Sequence, residues 1–303
     1  MANVKHGTNL RGHAAMLCFS ALVAGSFSLG SLAANEIAPI AITTARFLIS
    51  AIILGIAMVA LRRFSRTDFF APWRYLILGC LLAIYFVLMF EGLKTAPPVS
   101  AAAVFTLTPI MAAIIGYLLL RQITTVRMAV ALTFGATGAL WVIFRADITA
   151  LLQLRIGRGE LIYFWGCVAH ATYPPVLVLL NRGESALAFT FATLIAGSLL
   201  LTALGWQDIL ATDWLNLPMV VWITLGYISV FASALTFLLM QYASLRLPAA
   251  KVLAYTYLVP SWVILWELVL GKEVPQTIVL GGVVITLIAL FLLIKNEQAN
   301  RET

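Results

Sequence analysis

Charge is what this chain has least of. Only 10% of its 303 residues are Asp, Glu, Lys or Arg, while 62% are hydrophobic, and mean hydropathy is +1.02. A water-soluble domain carries roughly a quarter charged residues, so that class is excluded. Cysteine is nearly absent: Cys18, Cys80 and Cys167 are an odd three, all within apolar runs. They show no metal-ligand spacing and read as small packing residues. Several signatures are missing outright. No G-x-x-x-x-G-K-[ST] loop occurs, which argues against ATP hydrolysis by this chain. Neither H-E-x-x-H nor G-x-S-x-G is present, which removes the commonest hydrolase signatures. No cluster of deep Lys and Arg is available to grip a phosphate. No catalytic residue, metal site or cofactor is expected.

Long apolar runs are what the chain has instead. Ten stretches can each supply the ~20 residues of a membrane-crossing helix: 14–35, 41–61, 75–90, 101–120, 126–144, 161–181, 185–207, 214–245, 250–270 and 274–294. An all-α, multi-pass membrane protein of ten spans follows. The net charge of +7 is no sign of a nucleic-acid partner, because of how it is distributed. With a cytoplasmic N-terminus, thirteen of the nineteen Lys and Arg fall in cytoplasmic segments. That asymmetry predicts both termini inside. Residues 5–33 resemble a cleavable signal sequence, with Lys5 and Arg11 before an apolar stretch and Ser31-Leu32-Ala33 after it. The stretch is too long for that and has a counterpart in the second half, so it is expected to be the first span.

The spacing of prolines divides the chain in two. Eleven residues separate Pro97 from Pro109, and eleven separate Pro248 from Pro260. Pro109 and Pro260 each fall near the middle of a span, where a proline removes a backbone donor and kinks the helix. Lipid tolerates this only where neighbouring helices or a wet cavity satisfy the freed carbonyl. Aligning the two prolines also matches Ala103 with Ala254, Leu107 with Leu258, and Leu119 with Leu270. Two five-helix units are expected, 11–145 and 158–295. Five spans is an odd number, so the second unit enters the membrane from the opposite side, as in inverted-repeat transporters.

These residues resemble the EamA type of the drug/metabolite transporter superfamily. The resemblance rests on Val104-Phe105-Thr106-Leu107-Thr108-Pro109, Arg121-Gln122 and Gly135-Ala136-Thr137-Gly138 in the first copy. The second copy has Tyr257-Leu258-Val259-Pro260, Gly271-Lys272-Glu273 and Gly281-Gly282. Gln122 departs from the family's usual Glu, and Arg46 matches a basic position common in the family. The resemblance implies ten spans in two repeats and a carrier rather than an enzyme. Within the superfamily the chain looks most like the YddG-type exporters of aromatic and other neutral amino acids, in a bacterial inner membrane. The missing basic cluster weighs against the superfamily's sugar-phosphate and nucleotide-sugar carriers.

Candidate substrate-binding residues are the mid-span rings Tyr85, Tyr163, His170, Tyr173, Tyr255 and Trp262. Such rings combine apolar contact area with a polar edge and suit an amino acid or related metabolite. Pro109, Pro260 and the pair Pro174-Pro175 are candidate helix breaks. In the ninth span, Lys251, Tyr255, Leu258, Trp262 and Trp266 recur every three or four residues and would share one helical face. Packing explains aromatic residues equally well, and Trp73, Trp206 and Trp214 near span ends read as interface belts. His170 is either a neutral hydrogen-bonding group or a proton carrier. Arg46 and Lys251 are expected to snorkel to the interface. Glu91 and Glu267 lie near span ends, where water reaches them. Two rival functions stay open: export of lipophilic or cationic drug-like metabolites, and an intramembrane lipid-modifying enzyme. Lipid is the only other partner expected, and the oligomeric state, monomer or otherwise, is not encoded.

Overall fold

A computed structural model describes residues 2–62, 66–123, 125–144, 147, 149, 156–272 and 277–299. Among them there is no strand, and ten helical segments follow one another: α1 (Ala2–Ala33), α2 (Pro39–Ala60), α3 (Trp73–Leu93), α4 (Pro98–Leu120), α5 (Val126–Ile143), α6 (Arg158–Leu180), α7 (Ala186–Ala211), α8 (Met219–Ser244), α9 (Ala249–Val269) and α10 (Thr277–Ala299). Nine contain stretches long and apolar enough to cross a membrane, and α10 carries a shorter one, Leu280–Leu292. The expected all-α, ten-helix class is the class observed.

Local chemistry sets where helices start. Pro39 opens α2, Pro98 opens α4, and Pro218 and Pro248 precede α8 and α9 as cap residues. A proline there forfeits no helical hydrogen bond. Thr125 and Ser185 cap α5 and α7 through their hydroxyls, accepting from Met128 N and Ala188 N. Large apolar residues such as Ile52, Ile56 and Val59 of α2 face outward, each more than half exposed. In lipid this costs nothing, and cohesion must come from close packing instead. Gly138 of α5 and Gly282 of α10 show how. A methyl on either would lie 2.7 Å from the other's carbonyl oxygen, so only glycine permits this helix crossing.

Successive helices reverse direction. The start of α1, the end of α10 and the α2–α3, α4–α5, α6–α7 and α8–α9 connections share one face, the termini face. Contacts across that face include Arg74 with Glu184 and Gln122 with Ala249. The opposite face brings Asn35 to the Lys94 carbonyl and Ser100 to Glu160. Helix α1 packs on α8 as α6 packs on α3, and α9 packs on α1 as α4 packs on α6. The pairs α2–α7, α4–α9 and α5–α10 close the bundle. Exchanging every helix for the one five places away leaves this set of contacts unchanged.

Candidate functional site

Helices α4 and α9 are each interrupted at mid-length. In α4 the first half, Pro98–Phe105, gives way at Thr106 and Leu107 to a second half, Thr108–Leu120. In α9 a 3-10 turn, Tyr255–Leu258, joins Ala249–Ala254 to Val259–Val269. Pro109 and Pro260 are the second residues of the new halves, so each break lies just before its proline. A proline cannot donate to the carbonyl four residues back, which for Pro109 is that of Phe105. The Thr108 hydroxyl donates to that oxygen instead, at 2.7 Å. The two breaks meet at the centre of the bundle, where the Thr108 and Thr256 hydroxyls are 3.4 Å apart. Pro174 and Pro175 behave differently from expectation. They sit inside α6, which runs unbroken from Arg158 to Leu180. Packing of α6 against α3 and α4 along its length holds the helix together despite two missing donors.

Beside the break in α4 lies a closed box of rings. The Tyr85 and Tyr163 hydroxyls are hydrogen-bonded at 3.1 Å. The His170 ring is 4.4 Å from that of Tyr85 and 5.0 Å from that of Phe105. Phe27 of α1 meets Phe105 at 5.7 Å and Tyr163 edge-on at 5.9 Å, and Phe19 flanks His170 at 6.5 Å. All six are almost fully buried, and such ring pairs each contribute roughly 0.5–1.5 kcal/mol beyond their area. His170 Nδ1 is buried with no hydrogen-bond partner among the described residues.

The other candidates are distributed. Tyr173 is buried one turn beyond His170 on α6. Tyr255 lies towards the termini face, bonded to His13 Nδ1 at 2.9 Å, and is not part of the box. Trp262 packs at the edge of the core with a buried indole N–H that has no partner. The 3-10 turn in α9 breaks the regular spacing expected of residues 251–266, and Trp266 stacks edge-on to Tyr227 at 5.4 Å. Phe19, Phe27 and Phe105 escaped sequence reading because phenylalanine in an apolar run carries no pattern of its own. Arg46 corrects an expectation. It does not snorkel: it is 0% exposed and bonded to Ala232 and Ser233 of α8.

The two ends of the bundle are built differently, although each carries a hollow: the one on the opposite face, about 510 Å³, lies between the α1–α2 and α7–α8 connections and is lined by Glu36, Asp208, Asp213 and Asn216 among others. At the opposite face the backbones of Gly92 (α3) and Gly159 (α6) touch, and Ser100 donates to the buried Glu160 carboxylate at 2.8 Å. At the termini face a cavity of about 380 Å³ opens between α4, α5, α8 and α9, lined by Gln122, Thr125, Ser244, Arg246 and Lys251 among others. Gln122 accepts there from Ala249 N at 3.2 Å, capping the start of α9. Nearby, buried Arg74 pairs with Glu184 at 2.6 Å. Burial alone would raise the Glu184 pKa. The Arg74 hydrogen bond and charge and the Arg182 N–H outweigh it, holding the carboxyl below its ordinary range.

Comparison with known proteins places this geometry. The profile of the EamA-like transporter family matches residues 10–144 and again 157–295. An uncharacterized transporter of Bacillus subtilis, YyaM, is 24% identical over 274 residues, covering 90% of each chain. A solved crystal structure superposes with a TM-score of 0.69 over 95% of this chain and 97% of its own at 18% identity, a likeness of fold alone.

Proposed function

The chain belongs to the EamA-like transporter family, and on that premise we propose that it exports neutral amino acids with apolar or aromatic side chains by alternating access. The observation that carries this reading is the aromatic box beside the paired helix breaks. Its rings offer apolar walls, and the Tyr85–Tyr163 hydroxyl pair and the free His170 Nδ1 offer a few polar points. That combination suits a small solute with an apolar body and a polar head. Irregular backbone at mid-depth is the usual place for a carrier's site. The tight contact of α3 with α6 on the opposite face and the cavity between α4, α5, α8 and α9 on the termini face fit one half of a transport cycle.

The same reading makes residues 11–145 and 158–295 two inverted copies of one five-helix unit. The exchange-invariant helix packing and the doubled profile match support it. It also puts both termini in the cytoplasm of a bacterial inner membrane, on the basic-residue asymmetry. A cysteine at Leu215, an exposed residue on the opposite face, should then react with an impermeant maleimide added outside cells. Protection there and labelling only after lysis would reverse the orientation.

The function is tested by counterflow of labelled amino acids in proteoliposomes, with lipophilic cations as competitors. Uptake of phenylalanine or leucine that the cations do not inhibit is expected. Cation transport without amino-acid counterflow would refute the proposal and favour the drug-like class.

A further inference from the structure

The least explained group in the bundle is a buried charge. Arg46 of α2 is 0% exposed. Its Nε donates to Ser233 Oγ and its Nη2 to the Ala232 carbonyl, both at 2.8 Å. Its guanidinium lies 3.7 Å from the centroid of the Phe86 ring. The remaining nitrogen, Nη1, is buried with no hydrogen-bond partner among the described residues. Among the described residues no carboxylate pairs with it, and the groups that hold this positive charge inside the bundle are neutral.

A tie between α2 and α8 does not require this. A neutral amide would span the same two acceptors without carrying charge out of water, a step that costs several kcal/mol when no counter-ion offsets it. The acceptors are also specially made. Ala232 and Ser233 lie in a π-turn, Val230–Leu235, that widens α8. Single π-turns inside helices recur at functional positions. Ser50 of α2 donates to the Ser229 carbonyl at 2.8 Å just beside it. Helix α8 is thus distorted and joined to α2 so as to hold one guanidinium with both N–H groups of Nη1 unspent.

Position connects this cation to the aromatic box. Phe86, the ring under the guanidinium, is 4.4 Å from Tyr85, and Tyr85 is 4.4 Å from His170. Arg46 and His170 therefore stand on either side of the Tyr85–Phe86 pair. Ionisable groups inside membrane proteins mark solute pathways, and guanidinium is the cation best matched to a carboxylate. One cation balances one negative charge, which fits a monocarboxylate and falls short of a phosphate dianion.

We propose that Arg46 is the anchor for the carboxylate of the transported solute, bound through Nη1 with the solute's apolar body lying along the Tyr85–Phe86 rings. The inference rests on the carrier reading above and narrows it: the solute must carry a carboxylate, and an ammonium is secondary.

The test follows thermal unfolding of the purified full-length protein with three probes: phenylalanine, phenylpropionate and phenethylamine. The two carboxylates should raise the melting temperature of the wild type, and the amine should not. In Arg46→Met their apparent affinity should fall roughly 30-fold or more, the lower end of what removing one partner of a buried charge pair costs. Arg46→Lys keeps the charge without the fork and should bind them about tenfold more weakly than the wild type. Stabilisation by phenylpropionate alone, lost in Arg46→Met, would support the anchor while refuting the amino-acid reading. The anchor is overturned if no carboxylate stabilises the wild type, if the amine does so equally well, or if Arg46→Met binds the carboxylates unchanged. Should Arg46→Met fail to fold, Arg46→Lys decides: unchanged binding overturns the anchor, and weakened carboxylate binding in a normally folded protein supports it.

Discussion

Gly159→Ala should part α3 and α6 where they touch on the opposite face. Built on Gly159, a methyl group runs into the Gly92 carbonyl oxygen and lies 2.6 Å from Thr95 Oγ1 and 2.7 Å from Ala96 N. From the other side, a methyl on Gly92 lies 2.7 Å from the Gly159 oxygen and 2.9 Å from Tyr163 Cβ. Carbon normally meets a carbonyl oxygen at about 3.3–3.6 Å, and every neighbour here is backbone or the root of a side chain. Helices α3 and α6 must therefore part by more than about half an ångström. Overpacking of this kind costs about 1–3 kcal/mol. The penalty falls only on the state in which these helices touch, so an alternating-access carrier should repopulate its alternative state about 5–150-fold. Cys167, buried on α6 one turn beyond Tyr163, is the reporter once Cys18 and Cys80 are replaced by serine. Its labelling by an impermeant maleimide from the opposite face should accelerate by a factor in that range, in Gly92→Ala as in Gly159→Ala. Equal rates in wild type and both variants, with only a lowered melting temperature, would mean that this contact does not gate, and the reasoning fails.

Three further outcomes follow from the same geometry. Tyr163→Phe leaves the buried Tyr85 hydroxyl unpaired and should destabilise by about 1–3 kcal/mol, and Tyr85→Phe, which leaves the Tyr163 hydroxyl only the weaker Cys167 thiol as partner, should destabilise by less. The double variant should cost less than the sum of the two, and additivity in a thermal-melt cycle would show that the 3.1 Å pair is not a functional unit. The Glu184 carboxyl sits below its ordinary pKa, so its contribution is complete above the unfolded-state value and disappears as pH falls through the lower folded one. Melting temperature should drop on acidification below about pH 4.5, and Glu184→Gln should flatten that drop; identical profiles would contradict it. For His170, Gln keeps a hydrogen-bonding group and should retain substantial counterflow, whereas Leu should lose most of it. A pH dependence near neutrality present in the wild type and absent from His170→Gln would instead identify a proton-linked residue.

The sequence by itself determined the class and the frame. Ten apolar runs can be read directly because hydrocarbon demands continuous apolar helix, and composition along the chain records that demand residue by residue. Helix starts also have a local cause, since Pro39, Pro98, Pro218 and Pro248 act within one turn of the helices they begin, but the apolar runs alone placed those starts at 41, 101, 214 and 250. Pro109 and Pro260 located two breaks to within a few residues, yet the identical local signal at Pro174-Pro175 misled, because packing along α6 overrides it. Tyr85, Tyr163 and His170 could be nominated by type, but not assembled. Their meeting, with Phe105 and Phe27 closing the box, depends on contacts between helices 60 or more residues apart in the chain. Arg46 is the sharpest case. Its place near the start of α2 suggested an interfacial lysine-like anchor, and only the π-turn of α8, 186 residues further on, makes it a buried cation. Depth, partner and charge balance belong to the packed bundle, where the burial of one group is set by the surfaces of others.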